Sequence, residues 1–299
     1  MFELTTSIFT LDELINADIS VYDSIYLGDP FCRQYPQNLC ENTEDLKKAN
    51  SFIRQQGKKV FVSTYAVPRN KDLDAVRKTL NICQELEVNA VEVHNFGTLE
   101  IIKKEFPNLK VHMGCLANIY SLVTVLVLKE KGVKRIMGNY ELSLDEIQEL
   151  KDKSGLELEL LLHGKMVLGI SENCLLKNWI KDFRGSCKDL CRGNHYLKSA
   201  KMVLKTFGQI TLSGKDVCMI EYLPDLLEKG FSIFRIETFP EKREYVGEVG
   251  KIYRRALEKA KEPDYQSKEF LLRSSRFSPH GFCNGYYFAT SGQKYVPKS

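Results

Sequence analysis

Three cysteines lie close together in one segment of the chain, and thiols at such spacing can bind a metal. They are Cys174, Cys187 and Cys191, separated by twelve and then three intervening residues. Thiolate sulfur is a soft ligand that suits iron–sulfur clusters and zinc. Zinc sites commonly use two close pairs of cysteines, whereas here only Cys187 and Cys191 form such a pair. The spacing alone therefore leaves an iron–sulfur cluster, a zinc ion and unliganded cysteines open.

The composition is that of an ordinary globular protein, with 43% hydrophobic and 27% charged residues and a net charge of +4. This mild charge does not by itself indicate a nucleic-acid partner. The N-terminus lacks the pattern of a signal peptide, and the longest apolar run, Ile119 to Leu128, is too short to span a membrane. We therefore expect a cytoplasmic protein whose nine cysteines stay reduced.

Segments typical of strands alternate with amphipathic helical segments along most of the chain. The predicted strands are Phe2–Ser7, Ser24–Asp29, Lys59–Tyr65, Ala90–His94, Lys110–Gly114, Lys134–Met137, Leu156–His163 and Ser232–Glu237. Eight strands alternating with helices predict a (β/α)8 barrel of the TIM type, an α/β fold, over residues 1–263. A doubly wound open sheet is the alternative, because a strand count alone does not exclude it.

The connection between the seventh and eighth predicted strands, about residues 164–230, is too long for a simple loop. We predict an insertion there, and it carries the three clustered cysteines together with Cys218. Residues 264–299 are rich in glycine and aromatic residues and are predicted to form an irregular C-terminal tail packed on the barrel.

Loops that follow the strands of such a barrel gather on one face, where active sites lie. Cys32 follows the second predicted strand and the clustered cysteines follow the seventh. We therefore expect these thiols to share that face. Cys40 lies close to Cys32 and is a reserve ligand, while Cys83 has the helical spacing of a core residue.

The histidines give little evidence of a catalytic site, and two familiar catalytic motifs are missing from the sequence. His163 ends the seventh predicted strand, where a role in a site and a packed position at the barrel rim are both open. The sequence contains no His-Glu-x-x-His zinc motif and no Gly-x-Ser-x-Gly nucleophile motif. A hydrolase would therefore have to use machinery that motifs do not reveal.

Several motifs together resemble the collagenase-like peptidase U family. The central matches are His163-Gly164, Ser171–Cys174, Gly185–Arg192, Tyr196 and Ser213–Cys218, and flanking matches are Tyr26–Gly28, Glu141–Ser143, Arg235–Glu237, Tyr245-Val246 and Tyr253-Arg254. The resemblance extends from near Tyr26 to about Tyr287. Some members of this family are labelled peptidases, and others are iron–sulfur proteins of oxygen-independent hydroxylation that act on ubiquinone precursors or on bases of ribosomal and transfer RNA.

The chain is most similar to the UbiV-like branch, in the strand-two segment that ends in Cys32, in the Cys-x12-Cys-x3-Cys spacing and in the tail motif Cys283–Tyr286. This resemblance implies a [4Fe–4S] cluster, a small-molecule substrate such as a ubiquinone precursor, and a heterodimer with a paralogous barrel protein. The implied cluster ligands are Cys32, Cys174, Cys187 and Cys191, with Cys218 as the alternative to Cys32.

We also hypothesise a catalytic role for His163, Glu141 and Glu237, because they end or follow strands six to eight and would face a substrate. Glu237 is alternatively a buried partner of Arg235 or Arg243. The chain has Arg235-Ile-Glu-Thr-Phe239 where the family has Lys-Ile-Glu-Gly-Arg, so chemistry tied to that motif is in question. Many members also carry a cysteine shortly after the His-Gly pair, where this chain has Met166 and Val167.

Three further hypotheses for the function stay open: a peptidase of unknown catalytic type, a factor that hydroxylates RNA bases, and a non-enzymatic iron–sulfur subunit that stabilises a catalytic partner. The missing nucleophile and zinc motifs argue against the peptidase.

Overall fold

The structure is a computed structural model. It describes residues 1–35, 37–171, 173–179, 190–193, 195–200, 202–239, 241 and 243–298, so that Cys187 lies outside the described residues.

The strands in chain order are β1 (Glu3–Ile8), β2 (Ser24–Leu27), β3 (Lys59–Ser63), β4 (Ala90–Val93), β5 (Val111–Met113), β6 (Arg135–Met137), β7 (Glu157–Gly164), β8 (Val167–Ile170), β9 (Tyr196–Lys198), β10 (Val203–Phe207), β11 (Ile210–Ser213), β12 (Asp216–Cys218), β13 (Ile233–Ile236) and β14 (Phe282–Cys283). The α-helices are α1 (Leu11–Asn16), α2 (Thr43–Gln55), α3 (Leu73–Glu85), α4 (Phe96–Glu105), α5 (Leu122–Glu130), α6 (Leu144–Ser154), α7 (Leu175–Trp179), α8 (Leu223–Glu228), α9 (Arg243–Lys259) and α10 (Ser267–Ser275).

Eight parallel strands form a closed barrel. Strands β1 to β7 pair in chain order, and β13 pairs in parallel with both β7 and β1. Closure confirms the predicted (β/α)8 fold and excludes the open sheet. Each predicted strand is present, with its ends shifted by no more than two residues.

Local sequence signals explain where the outer helices begin and end. The hydroxyl of Ser143 accepts a hydrogen bond from the Glu146 N–H, and the Glu146 carboxylate accepts one from the Ser143 N–H in return. This capping box satisfies two backbone donors at the start of α6. Gly155 ends the same helix with a φ of +68°, a left-handed conformation that glycine adopts without steric cost.

The barrel interior contains paired charges where many such barrels have branched apolar side chains. Arg235 on β13 reaches Glu92 on β4 at 2.7 Å and Glu159 on β7 at 2.9 Å, and its guanidinium carbon lies 3.9 Å from the ring centroid of Tyr26. The Tyr26 hydroxyl donates to Glu159 at 2.9 Å and lies 2.9 Å from Nδ1 of His112. All of these side chains are buried, so the strands carry their own counter-charges.

The insertion forms a separate four-stranded antiparallel sheet in the order β8-β11-β10-β9. The chain then returns to the barrel, where β12 pairs antiparallel with β7 and parallel with β14. Helix α8 follows and leads into β13, in the position of the helix between the seventh and eighth strands of such a barrel. The chain therefore leaves the barrel after β7, forms the inserted sheet, and returns to the barrel beside β7 as strand β12.

The C-terminal segment is more regular than we expected. It contains helix α10, which the sequence analysis did not predict because its apolar face is short, with Phe270 as its buried hydrophobic residue. Beyond α10, the Asn284 amide donates to the Cys218 carbonyl at 3.0 Å and the Tyr287 hydroxyl donates to the Leu161 carbonyl at 2.9 Å. These bonds hold the segment against β12 and β7.

Within the described part of the chain, no helix combines the length and the apolar composition that crossing a lipid bilayer requires.

Candidate functional site

Three of the four predicted cluster ligands line one pocket at the carboxyl-terminal face of the barrel. We call it the thiol pocket; its walls are formed by Asp29, Cys32, Gln34, Tyr35, Cys174, Lys177, Leu190, Cys191, Phe207 and Gly208. Cys32 comes from the loop after β2, whereas Cys174 and Cys191 come from the insertion after β7. The fold thus brings together the sequence-distant thiols, as the arrangement of barrel loops predicts.

The loop that carries Cys32 is fixed by side-chain hydrogen bonds to its backbone. The Asp29 carboxylate accepts from the N–H groups of Phe31 at 2.7 Å and Cys32 at 3.3 Å. The Asn38 amide donates to the carbonyls of Asp29 and Cys32 at 3.0 and 3.3 Å. Because Asp29 and Asn38 are buried, the Cys32 backbone has a defined position at the pocket edge.

Cys174 lies directly before α7, and its Sγ accepts a hydrogen bond from the Lys177 N–H at 3.4 Å. The thiolate is the form of cysteine that binds metals. The Gly208 carbonyl accepts a hydrogen bond from the Leu175 N–H at 3.2 Å, and Gly208 adopts a φ of +60° in the turn between β10 and β11, next to Cys191. Both insertion cysteines are half-buried.

The ligand type and the surroundings of the thiol pocket fit an iron–sulfur cluster. Three soft thiols lie against an apolar wall of Leu190 and Phe207, and the hydrophobicity of the surrounding shell is one of the factors that tune such a centre. Among the residues that the structure describes, no three His, Cys, Asp or Glu side chains converge on a single ion. A cluster does not require this convergence, because each of its irons takes one cysteine of its own.

The two alternative ligands lie outside this pocket. Cys218 on β12 is fully buried, its Sγ accepts a hydrogen bond from Tyr253 at 3.4 Å, and burial raises the pKa of its thiol to about 12. Cys40 donates to the Ser63 carbonyl at 3.0 Å, and burial raises the pKa of its thiol well above the usual range. Both thiols are placed to stay protonated and paired inside the protein.

His163 is a buried residue of the barrel wall. Its Nδ1 lies 3.1 Å from the Tyr253 hydroxyl and its ring packs against Tyr245. Burial, followed by the charge of Lys165, lowers the pKa of His163 to about 3, so that the ring is neutral at physiological pH. The next residue, Gly164, has a φ of +114°, and a side-chain carbon there would lie 2.2 Å from the Glu237 carbonyl oxygen. The His-Gly pair therefore permits close approach of β7 and β13.

Glu237 is also buried, just beyond the end of β13. Its carboxylate lies 3.4 Å from Arg235, which matches one of the two buried partnerships that the sequence left open; the side chain of Arg243 lies outside the described residues. Burial raises the pKa of Glu237 to about 7, against the opposing effect of Arg235 and with a further contribution from Glu92. This carboxyl group is poised to exchange a proton near neutral pH.

Glu141, in contrast, is exposed and lines a cavity of about 230 Å³ between the loops after β5 and β6, strand β8 and the C-terminal segment. We call it the Glu141 cavity. The Tyr120 hydroxyl donates to the Glu141 carboxylate at 2.7 Å, and Asn118, Asn139, Tyr140 and Tyr286 also line the cavity. Of the three predicted catalytic residues, Glu141 is the one that a substrate can reach without rearrangement of the barrel.

The sequence analysis missed a second cavity, of about 260 Å³, beside the thiol pocket. Arg33, Arg69 and Lys71 supply its positive charge. The signal was present in the sequence, because Arg33 follows Cys32 directly and the segment Arg69-Asn-Lys71 follows the third predicted strand. Loop residues after neighbouring barrel strands meet at one face, so that these cations were candidates for one site.

Comparison with known proteins identifies the relatives of this chain. The family model described as Peptidase family U32 matches residues 10–297. An uncharacterized protease of Methanocaldococcus jannaschii is 30% identical over 282 residues, which cover 89% of this chain and 68% of that protein.

Two Bacillus subtilis proteins named tRNA hydroxylation protein P1 and tRNA hydroxylation protein P2 are 26% and 27% identical. The P1 match covers 72% of this chain and 53% of P1, and the P2 match covers 76% of this chain and 77% of P2. The chain thus spans about half the length of P1.

Among solved structures, a ribulose-1,5-bisphosphate carboxylase/oxygenase from Pyrococcus horikoshii matches with a TM-score of 0.53 and 12% identity, over 92% of this chain and 64% of that one. At this identity the likeness reflects the barrel fold alone.

Proposed function

Because this chain belongs to peptidase family U32, we propose that it takes part in an oxygen-independent hydroxylation that depends on a [4Fe–4S] cluster. One observation carries the cluster: Cys32, Cys174 and Cys191, from separate parts of the sequence, line the thiol pocket. A surface thiol placed by chance has no reason to meet two others at the active face of a barrel.

Relatives support the hydroxylation, since two of them are named tRNA hydroxylation proteins and another, from Escherichia coli, is named a 23S rRNA 5-hydroxycytidine synthase. An RNA base is therefore the substrate that the relatives favour. A ubiquinone precursor is the second candidate, and the UbiV-like motifs around Cys32 and in the tail favour it.

The protein would hold the cluster through Cys32, Cys174, Cys187 and Cys191. A bound [4Fe–4S] cluster supplies one-electron transfer, at a potential that hydrogen bonds to sulfur and solvent exposure determine. The Lys177 N–H on Cys174 would stabilise the negative charge of that sulfur. Leu190 and Phe207 would limit access of water to the same centre.

A paralogous partner is part of the proposal. Bacillus subtilis has both a P1 and a P2 protein, each similar to this chain, so that two related barrels occur in one organism. We propose that this chain forms a heterodimer with such a paralogue in the cytoplasm, and that activity requires both subunits.

The cluster is tested by anaerobic purification, an absorption spectrum, and quantification of iron and acid-labile sulfide. We expect a brown protein with about four irons per chain, and loss of iron in each of the Cys→Ser variants at positions 32, 174, 187 and 191. The matched controls are Cys40→Ser and Cys218→Ser, which change thiols outside the pocket. Wild-type protein without iron after reconstitution would disprove the cluster. Loss of iron in Cys218→Ser but not in Cys32→Ser would show that Cys218, and not Cys32, is the fourth ligand.

The substrate is tested in the host by deletion of the gene and growth without oxygen. Mass spectrometry of tRNA and rRNA nucleosides and of quinone intermediates from the same cultures distinguishes the two candidates. We expect a hydroxylated nucleoside to disappear and to return with the wild-type gene but not with Cys174→Ser. Unchanged nucleosides with an accumulated quinone precursor would assign the quinone substrate instead.

A peptidase is the second function that an observation favours, because the Methanocaldococcus relative is named a protease. Incubation of the purified protein with gelatin and a peptide library, under reducing and oxidising conditions, tests it. Cleavage that persists in the Cys174→Ser variant would support a peptidase independent of the cluster.

A further inference from the structure

The cavity beside the thiol pocket is a built cationic site. We call it the basic pocket; its lining residues are Arg33, Gln34, Tyr65, Arg69, Lys71, Asp72 and Gln209. Three cations and one carboxylate give it a net positive charge. The side chains of Gln34, Tyr65 and Gln209 add neutral hydrogen-bonding groups. Such a combination matches an oxyanion that carries further polar atoms.

The basic pocket and the thiol pocket share a wall. Gln34 lines both, Arg33 directly follows the predicted ligand Cys32, and Gln209 directly follows Gly208. The loop after β2 and the β10–β11 turn therefore each contribute to both pockets. A ligand anchored in the basic pocket would extend alongside the thiols.

Arg33 is held rigidly in this arrangement. Its Nε and Nη2 donate to the two carboxylate oxygens of Glu41 at 2.7 and 3.1 Å, and its Nη1 donates to Asp72 at 2.7 Å. The same Asp72 accepts from the Arg69 N–H at 2.9 Å and lies 3.9 Å from the Arg69 guanidinium. The Asp72 carboxylate thus orients two guanidinium groups. Glu41 and Asp72 together offset two of the three cations, so that one unit of positive charge remains in the pocket.

The rim of the basic pocket is open to solvent. The side chain of Arg69 is 53% exposed and Lys71 is exposed, whereas that of Arg33 is only 23% exposed and lies deeper. An extended polymer can pass over such a rim, because its backbone continues on both sides of the contact. The planar fork of arginine and the point charge of lysine are the side chains that bind phosphate in proteins.

We infer that the basic pocket binds a backbone phosphate of an RNA strand and so places a neighbouring base beside the thiol pocket. This inference rests on the proposed function, because it names the group by which an RNA substrate is held. Arg69 and Lys71 contact the phosphate, and Arg33 and Asp72 fix the orientation of the Arg69 side chain. The residues act in binding and take no part in the redox step.

The test is the salt dependence of binding of unfractionated tRNA by the anaerobically purified protein. The variant Arg69→Gln/Lys71→Gln removes two cations from the pocket rim, and Lys47→Gln/Lys48→Gln removes two from the exposed face of α2 as the matched control. Each phosphate contact contributes about 0.7 to 0.9 to the slope of log K against log salt. Because Arg69 and Lys71 contact the same phosphate, we expect the pocket variant to lower the slope by about 0.7 to 0.9 and the control variant to leave it unchanged.

Competition identifies the chemistry of the bound group. Cytidine 5′-monophosphate at fixed ionic strength should displace tRNA from the wild type but not change residual binding by the pocket variant, whereas benzoate should displace it from neither. Equal loss of affinity in the pocket and control variants, or displacement by benzoate, would overturn the inference. Iron content separates it from the proposed function: iron-free protein that still shows the pocket-dependent slope would refute the cluster and retain the phosphate site.

Discussion

The barrel interior and the thiol pocket are built from different parts of the chain. In the interior, Arg235, Glu92 and Glu159 project from strands β13, β4 and β7, are buried, and have opposite charges as direct partners. In the thiol pocket, Cys32, Cys174 and Cys191 lie beyond the strand ends, in loops and the insertion, and are half-buried. The charged side chains on the strands are therefore part of the buried barrel interior, whereas the thiols on the loops stay accessible at its face.

The energetics explain this difference. A buried ion pair is a weak source of net stability, but removal of one partner leaves an uncompensated charge in a medium of low polarity. A loop residue at the rim can change with less effect, because loops bear few of the contacts that hold a core. Interior substitutions should therefore affect folding first, and rim substitutions should affect function first.

The largest effect should come from Arg235→Met. The change leaves Glu92 and Glu159 buried without their central cation, so that the free energy of unfolding should fall by about 3–5 kcal/mol, or the protein should fail to accumulate. Urea unfolding followed by circular dichroism measures this loss.

Arg77→Met is the matched control for this change. Arg77 also forms a bidentate pair with a glutamate, Glu105, but on the exposed surfaces of α3 and α4. We expect wild-type stability in that variant. Equal stability of Arg235→Met and Arg77→Met would contradict a structural role of the interior charges.

The second largest effect should be a change in the pH dependence of stability in Glu237→Gln. The pKa of Glu237 is raised from 4.5 to about 7 by burial, so that between these pH values the folded protein binds more protons than the unfolded chain. The stability contributed by protonated Glu237 is therefore lost as the pH rises from 4.5 through 7. Glutamine cannot ionise. In wild type the free energy of unfolding should decline over this pH range by an amount on the order of 2–3 kcal/mol, and we expect Glu237→Gln to remove this decline.

Thermal unfolding from pH 4.5 to 8 measures how stability changes with pH. A variant of an exposed glutamate, Glu262→Gln, is the control. Parallel pH profiles for wild type and Glu237→Gln would show that this carboxyl group ionises without cost in the folded protein.

The barrel was predictable because each of its strands has a local apolar signal and most of the outer helices have a local amphipathic one. Helix α5 is an exception, since it also exposes Val123, Leu126 and Val127. The position of Cys32, Cys174 and Cys191 on one face was predictable as well, since loops that follow the strands of a barrel gather there. The interior charges were not. Side chains along a strand alternate between its two faces. The sequence does not tell whether Glu92, Glu159 and Arg235 lie on the face that points into the barrel or on the face that points outward.

The same ambiguity affected the candidate catalytic residues. His163 and Glu237 lie at the strand ends as expected, yet the structure buries both. His163 contacts Tyr253 on α9, and Glu237 contacts Arg235 of the barrel interior. The order of strands gives the end of the barrel at which a residue lies. The direction of its side chain depends on packing against elements distant in sequence, here α9 for His163.

A smaller effect on stability should follow from the thiol variants Cys32→Ser, Cys174→Ser and Cys191→Ser. Each replaces a half-buried sulfur by an isosteric hydroxyl at the rim, so that in the iron-free state the free energy of unfolding should change by less than about 1 kcal/mol. Iron binding should be lost in the same variants. A loss of stability as large as that of Arg235→Met would erase the distinction between the two regions.

The smallest effect on stability, and a clear effect on function, should come from Glu141→Gln. Glu141 is exposed, and glutamine keeps an oxygen that can accept the Tyr120 hydrogen bond, so the free energy of unfolding should stay within about 0.5 kcal/mol of wild type. If the carboxylate acts on a substrate in the Glu141 cavity, loss of its charge should lower the yield of hydroxylated product about 100-fold or more. Tyr120→Phe removes the partner but leaves the carboxylate, and should retain most of the activity. Wild-type activity in Glu141→Gln would exclude the one predicted catalytic residue that the fold leaves accessible, and would direct attention to the proton on Glu237.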